Sequence, residues 1–309
     1  MSKLSVVISA FNEEKNIEDA LQSVSFADEI IVVDNSSTDD TAKIALKYTE
    51  KIYKRENNLM LNVNKNFGFT KATGEWILSL DADERVTPEL KKEIESKLNE
   101  LVEFDGYWIP RKNIIFNKWI EHSIWWPDYH LRLFRSGKGK FAQKHVHEYI
   151  NINGSTDYLE SPLLHENYSH VSQYIQKMDK IYSENEVENM IKDGKRVVWQ
   201  DAILYPLKDF TKTFFAQRGY KDGLHGLVLS IFQAFYAELV FAKMWEHQKF
   251  AEYNSQTFLQ EILNVLRREG YELKHWVLSV KIDNEKKRLR KFAYKISRRI
   301  NKRKILKNV

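Results

Sequence analysis

The chain has 309 residues, of which 43% are hydrophobic, and its formal net charge is +5. It contains no cysteine, which excludes disulfides and a thiolate metal site. The first residues lack the long apolar core and cleavage site of a signal peptide, so we expect a cytoplasmic protein. The basic charge is concentrated at one end, because residues 281–309 hold thirteen Lys or Arg and only two acidic residues.

Short apolar strands alternate with helices over the first hundred residues, a pattern typical of a doubly wound α/β fold with a mostly parallel sheet. The predicted strands are residues 4–9, 29–33, 51–54 and 76–80. Helices are predicted after Asn12-Glu13-Glu14 and over residues 62–73. A further helix is predicted with Thr87 as N-cap and Pro88 at its first position, followed by leucines and Ile94 on one face.

Polar residues follow three of these strands, where a parallel sheet binds its ligands. Asp81 and Asp83 come after the buried strand 76–80, and two carboxylates there suit Mg²⁺ or Mn²⁺, which would hold a substrate's phosphates. The alternative interpretation of this pair is a solvated turn before the next helix. Asp34 is placed to accept hydrogen bonds from a ribose or base. Asp34 and Asn12 are equally explained as helix caps.

The rest of the chain changes character twice. Residues 105–165 are rich in aromatic and β-forming residues, and Asn153-Gly154 predicts a hairpin. From about Val171 the pattern is helical to the end. We therefore predict three domains, namely a catalytic domain over 1–168, a helical acceptor or membrane-proximal region over 169–280 and a basic tail over 281–309.

Three segments, in this order and spacing, carry a resemblance to a known family: LSVVISAFNEE, EIIVVDNSSTDDT and ATGEWILSLDADE. They resemble family 2 glycosyltransferases of the GT-A fold. Residues 127–134 and 146–148 are similar to a narrower group, the bacterial enzymes that add a hexose to the lipopolysaccharide inner core. The resemblance implies an inverting, metal-dependent transfer from a UDP-sugar, with UDP-glucose favoured, to a lipid-linked or lipopolysaccharide-core saccharide.

The resemblance also implies roles for individual residues near the donor. The positions that match a nucleoside-binding role are Ser9, Phe11, Asn12, Glu13 and Asp34. Lys65 and Asn66 fall where the family often has a basic residue and Asn near the donor. Asp83 would bind the metal directly, whereas Asp81 would contact the ribose or a metal-bound water.

An inverting transfer needs a general base that takes the proton of the acceptor hydroxyl. By resemblance, Glu148 is the first candidate and Asp128 the second, and the alternative for Glu148 is an ordinary surface carboxylate. His165 and His147 are candidates for completing the metal site, because imidazole is an acceptable ligand of Mn²⁺. A histidine after a strand is also often a structural hydrogen-bonding group.

Two arginines in the same region, Arg132 and Arg135, are candidates for contact with a diphosphate or the acceptor. Their alternative is a salt bridge at the edge of the sheet.

The C-terminal part suggests membrane contact. Residues 224–245 are apolar but contain His225, Gln233, Glu238 and Lys243, so we expect a packed or interfacial helix rather than a spanning one. In the tail, four apolar residues recur at helical spacing among the cations: Leu289, Phe292, Ile296 and Ile300. A basic amphipathic helix predicts peripheral attachment to anionic lipid at the inner face of the membrane.

Three alternatives compete with this function. The acidic body and the sugar-nucleotide resemblance argue against a nucleic-acid partner. A catalytically silent membrane adaptor with the same fold is disfavoured by the intact Asp81 and Asp83. A nucleotidyltransferase shares the carboxylate pair and differs in releasing pyrophosphate rather than UDP.

Overall fold

The computed structural model of the chain describes residues 2–57, 61–100, 104–142 and 149–307. The chain forms two compact units, of which the first comprises residues 1–121 and 125–169 and the second residues 122–124 and 170–309. The predicted division into three domains stays a prediction.

The first unit is built around one large sheet. The strands of this unit, β1 to β12, are in chain order Leu4–Ala10, Glu29–Asp34, Ile52–Lys54, Trp76–Asp81, Glu84–Val86, Gly106–Ile115, Lys118–Trp119, Asp128–Arg135, Gly139–Lys140, Asn151–Ile152, Thr156–Tyr158 and Leu163–Tyr168. Strands β9 and β10 form a separate two-stranded sheet, and the other ten belong to the large one. The order in the sheet is β3-β2-β1-β4-β8-β6-β12-β5, with β7 and β11 also paired to β6. Strands β1 to β4 are mutually parallel, and β8 enters antiparallel between β4 and β6. This mostly parallel α/β sheet confirms the GT-A fold class.

The central strand β1 is buried on both faces, which explains its continuous apolar sequence. Val6 and Ile8 pack into the core on one side of the sheet. Val7 packs with Ile31 and Ile77 on the other side. Burial of these aliphatic side chains stabilises the fold by about 2 kcal/mol each.

Four helices accompany the sheet: α1 (Ile17–Ser23), α2 (Thr41–Ala45), α3 (Leu61–Lys71) and α4 (Pro88–Asn99). The prediction for α4 is confirmed, because Thr87 Oγ1 accepts a hydrogen bond from the Leu90 amide at 3.2 Å and Pro88 occupies the first turn. Leu90, Ile94 and Leu98 are buried on one face of this helix.

The hairpin predicted at Asn153-Gly154 is wrong. The strand before it, β10, pairs with β9, whereas the strand after it, β11, pairs with β6 in parallel. The Asn153 amide donates to the carbonyl of Lys138 at 2.9 Å. Gly154 has φ +151°, and a side-chain Cβ there would overlap the Asp105 carboxylate. The glycine is therefore required by close packing against Asp105 and not by a two-residue turn.

The second unit is helical, as predicted from Val171 onward. Its α-helices are α5 (Val171–Lys177), α6 (Glu184–Lys192), α7 (Asp201–Phe210), α8 (Leu224–His247), α9 (Phe258–Asn284) and α10 (Arg288–Lys307). Val240, Phe241 and Met244 of α8 are buried in a cluster with Val187 and Met190 of α6.

Among the described residues, α8 alone is long and apolar enough to cross a membrane by length and composition, with a mean hydropathy of 1.5 over its best window. Length and composition do not distinguish a spanning helix from the packed or interfacial helix that we expect, so that expectation stays a prediction. A core helix of a soluble protein passes the same test, and 28% of the window is buried within the chain.

Candidate active site

The ends of three neighbouring strands form one row of polar residues. Ala10 of β1 is in register with Asp34 of β2, and Ser9 is in register with Asp81 of β4. The prediction that these strand ends converge on one edge of the sheet is confirmed. This edge is where open α/β sheets place their ligands.

The loops that follow β1 and β2 are joined by side-chain hydrogen bonds. Asn12 has φ +54°, and its Oδ1 accepts from the Thr38 amide at 2.8 Å. The Asn12 amide donates to Ser37 Oγ at 3.0 Å, and the Glu13 amide donates to Thr41 Oγ1 at 2.7 Å. Asn12 is therefore not the cap of α1, which begins four residues after Glu13. Its side chain instead ties the first loop to the second.

A buried amide network lies beneath these loops. Asn35 Nδ2 donates to Ser9 Oγ at 3.0 Å, and Asn64 Nδ2 donates to Asn35 Oδ1 at 2.6 Å. Asp34 is buried, and its Oδ1 accepts from the Ser37 amide at 3.0 Å, which shapes the loop. Phe11, by contrast, is 39% exposed. Sequence reasoning missed Asn64, because nothing near it in the chain indicates a partner.

Asp81 is held between two cations. Lys65 Nζ lies 2.5 Å from Asp81 Oδ1, and Arg132 Nη2 lies 2.7 Å from Asp81 Oδ2. Burial acts to raise the pKa of Asp81, but the charges of Arg132 and Lys65 hold that pKa well below its usual range. Because both carboxylate oxygens are engaged, these contacts favour Asp83 over Asp81 as a direct metal ligand.

Arg132 is a buried structural cation. The same Nη2 lies 2.6 Å from Oε1 of Glu84, a fully buried carboxylate that sequence reasoning did not single out. The Glu84 side chain also accepts from the Asp81 amide at 2.9 Å through Oε2. The salt-bridge alternative is therefore the observed one for Arg132. Arg135 lies instead over the Trp76 ring at 4.9 Å, at the opposite end of β4 from Asp81.

The side-chain amide of Asn66 is hydrogen-bonded to the backbone of Phe141. Its Nδ2 donates to the Phe141 carbonyl and its Oδ1 accepts from the Phe141 amide, both at 2.9 Å. The side chain therefore positions the chain just before residues 143–148. Glu148 and His147, two of the predicted site residues, lie in that stretch, outside the described residues.

Asp83 and His165 face each other at the end of the sheet. His165 Nε2 lies 3.5 Å from Asp83 Oδ2, and the Glu166 amide donates to the Asp83 carbonyl at 3.0 Å. His165 is 7% exposed. Hydrogen bonding to β12 thus fixes the backbone of Asp83 beside the histidine.

The tautomer of His165 is set by Asn113. The Asn113 amide nitrogen donates to the Trp125 carbonyl at 2.9 Å and to Asp128 Oδ2 at 3.1 Å, so its Oδ1 faces His165 Nδ1 at 2.7 Å. Nδ1 therefore donates its hydrogen to Asn113, which leaves the lone pair of Nε2 facing Asp83 when the ring is neutral.

This pair fits a divalent cation. A carboxylate and a neutral imidazole 3.5 Å apart can share one ion at bonds of about 2.1 Å. Within the described ranges, no three or more His, Cys, Asp or Glu residues converge on a metal position. Further ligands would then come from phosphates and water, as is usual for Mg²⁺.

Asp128 forms a compact polar cluster. Arg111 Nη2 donates to Asp128 Oδ2 at 2.7 Å, and His130 Nε2 lies 3.0 Å from Oδ1. Burial acts to raise the pKa of Asp128, but the hydrogen bond from His130 and the charge of Arg111 hold it far below the usual range. A carboxylate held in this way is a poor proton acceptor.

Comparison with known proteins identifies the class of protein. The model of the family described as "Glycosyl transferase family 2" matches residues 5–156. An "uncharacterized glycosyltransferase" of Rickettsia bellii is 30% identical over 259 residues, which cover 79% of this chain and 86% of that protein. The chain therefore belongs to the family 2 glycosyltransferases.

The chain is also similar to two other proteins. The lipopolysaccharide core biosynthesis glycosyltransferase LpsC of Rhizobium meliloti is 28% identical, over 79% of this chain and 92% of that protein. The crystal structure of residues 1–349 of Staphylococcus aureus TarS in complex with UDP aligns with a TM-score of 0.41 and 17% identity, over 82% of this chain and 93% of that one.

Proposed function

We propose that the protein is an inverting, metal-dependent glycosyltransferase that moves a hexose from a UDP-sugar, with UDP-glucose favoured, to a lipid-linked or lipopolysaccharide-core saccharide. The observation that carries the proposal is the Asp83–His165 pair at the end of the strand-end row. The similarity to LpsC over most of both chains supports a lipopolysaccharide-core acceptor.

The donor would lie along the strand-end row. Ser9, Phe11, Asn12, Glu13 and Asp34 would position the nucleoside there, as the family resemblance implies. Asp83 and His165 would hold Mn²⁺ or Mg²⁺, which when bound supplies positive charge to the departing diphosphate. Lys65 sits at the same strand end, paired with Asp81.

The acceptor hydroxyl would lose its proton to Glu148. The contacts of Asp128 support this choice, because a carboxylate already bound by Arg111, His130 and Asn113 has little affinity for a proton. Glu148 remains the family's candidate by sequence position.

Attachment to the inner face of the membrane would bring the enzyme to a lipid-linked acceptor. Arg298 and Asn301 mark the side of α10 that contacts α9, through Ser279 Oγ and the Tyr271 carbonyl. At about 100° per residue, the apolar row of the tail falls on the opposite side of α10. That row is exposed: Leu289 87%, Phe292 63%, Ile296 45% and Ile300 52%. An unpaired apolar stripe flanked by cations suits an anionic lipid surface.

The test is a screen of UDP-sugars for metal-dependent release of UDP. The wild-type protein should release UDP with Mn²⁺ or Mg²⁺, and Asp83→Asn should not. Asp193→Asn is a matched control, because Asp193 is exposed and pairs only with Lys195 at 3.1 Å among the contacts described. Release of pyrophosphate instead of UDP would indicate a nucleotidyltransferase, and absence of UDP binding with metal present would indicate an adaptor.

A further inference from the structure

One flank of α10 forms an open groove with α9, with a volume of about 720 Å³. Four cations line it, all from α10: Lys295, Arg298, Arg299 and Lys302. The other lining residues are Phe292 and Ile296 of α10 and His275 of α9. A space of this size is in the range of small-ligand sites.

The four cations of the groove form no ion pair with a carboxylate of the described residues. In the described parts of the chain, no ion pair joins any of the four to a carboxylate, although Arg298 donates a hydrogen bond to Ser279 Oγ at 3.2 Å. Helix α10 itself contains no Asp or Glu. Four like charges gathered without counterions create a positive potential that attracts an external anion.

His275, on the facing helix α9, is affected by the positive potential of these cations. Burial and then the charge of Arg298 lower the pKa of His275, and Lys302 adds to this effect while Glu272 opposes it. The Nδ1 atom of His275 is buried and has no hydrogen-bond partner among the described residues. A buried polar atom without a partner is uncommon in a folded protein and is satisfied when a ligand supplies one.

We propose that this groove binds the phosphate group of a membrane lipid. Arginine and lysine recognise phosphate oxygens through charge-assisted hydrogen bonds. Phe292 and Ile296 belong both to the groove and to the exposed apolar row, so a phosphate held by the cations would have its acyl chains beside that row. A free phosphate or a nucleic acid has no acyl chain and leaves this apolar surface uncovered.

The inference rests on the proposed membrane attachment and makes it specific, replacing diffuse attraction by a defined phosphate site. Diffuse attraction depends on the number of cations near the lipid, at about fivefold in partition coefficient for each. At a defined site, the partition coefficient depends in addition on which cations are removed.

The experiment compares two double variants of the full-length chain that lose equal charge from α10. K295Q/R299Q removes two exposed cations of the groove, and R290Q/R303Q removes two exposed cations outside it. Partition onto phosphatidylcholine vesicles containing phosphatidylglycerol is measured by co-sedimentation. The control should lose about 25-fold, and the groove variant should lose about tenfold more.

Vesicles with the same surface charge supplied by oleate separate phosphate recognition from charge alone. The wild type should prefer the phospholipid vesicles, and K295Q/R299Q should abolish that preference. Equal losses for the two variants, or no preference between the two anions, overturns the groove while leaving membrane attachment intact. Absence of wild-type binding to either vesicle overturns the attachment itself.

Inorganic phosphate serves as the soluble competitor. It should not displace the wild type from phospholipid vesicles at matched ionic strength, because it cannot occupy the apolar side of the groove. Displacement by inorganic phosphate at a concentration equal to that of the accessible lipid phosphate would show that the apolar side contributes nothing, and it would overturn the lipid assignment.

Discussion

The Nδ1 atom of His165 donates to Oδ1 of Asn113 across 2.7 Å, and this contact orients the imidazole toward Asp83. Asn113 is fully buried, and its amide nitrogen donates to two acceptors, the Trp125 carbonyl and Asp128 Oδ2. These two hydrogen bonds prevent a flip of the side-chain amide. An outer residue that fixes the tautomer of a metal-binding histidine generally contributes to metal affinity without touching the metal.

Replacement of Asn113 by Ala should therefore weaken Mn²⁺ binding by about 10- to 100-fold. Asn167→Ala is the matched control, because Asn167 donates to the same Oδ1 at 3.2 Å and makes no described contact with His165. Mn²⁺ affinity is measured by electron paramagnetic resonance of the free ion. Equal affinities for Asn113→Ala and the wild type would remove the positioning role.

Arg132 should be needed for folding more than for ligand binding. Arg132→Leu leaves the half-buried Asp81 carboxylate and the fully buried Glu84 carboxylate without the cation between them, so the free energy of unfolding should fall by about 3 kcal/mol. Arg135→Leu, which removes a cation from the Trp76 ring, should cost about 1 kcal/mol. Urea unfolding measures both, and a stable Arg132→Leu protein with a raised KM for the donor would instead favour contact with the diphosphate.

Substitutions of the two candidate bases should have different effects on activity and on stability. Glu148→Gln should lower the turnover number at least about 100-fold while donor binding stays unchanged. Asp128→Asn removes the acceptor of Arg111 and His130, so it should lower the melting temperature as well as activity. Initial rates and thermal unfolding check this, and an inactive but fully stable Asp128→Asn with an active Glu148→Gln would reverse the assignment.

Glu29 should make stability depend on acid pH. Its buried carboxylate is held by Lys51, Ser5 and Thr73, and although burial opposes the shift, these contacts lower its pKa to about 2. A lowered folded-state pKa stabilises the protein above the unfolded value of 4.5, and this stabilisation is lost as pH falls toward about 2. Glu29→Gln should therefore cost about 3 kcal/mol at pH 7 and progressively less below pH 4.5. Urea unfolding across this range measures the difference, which a pH-independent value would contradict.

The sequence predicts those structural features that are determined by residues close together in the chain. The cap at Thr87 and the buried face of α4 follow from residues within three or four positions of each other, and the burial of β1 follows from its apolar run. The meeting of Asp34 with the end of β4 follows from the general geometry of parallel sheets.

Contacts between distant segments escape the same reasoning. Asn113 and His165 are 52 residues apart, and Arg132 meets Asp81 across 51 residues through strands of opposite direction. The Asn153-Gly154 error has the same origin, because Asp105 and Lys138 decide that geometry from elsewhere in the chain. Propensity at the two residues themselves carries no information about those partners.

In the proposed mechanism, Asp83 and His165 hold the divalent cation that binds the diphosphate of the donor. The direct measurement is calorimetric titration of UDP into the protein with and without Mn²⁺, for the wild type, Asp83→Asn and the surface control Asp193→Asn. Mn²⁺ should raise UDP affinity at least about tenfold in the wild type and in the control, and should have no effect in Asp83→Asn. The same Mn²⁺ dependence in Asp83→Asn as in the wild type would show that Asp83 does not bind the cation.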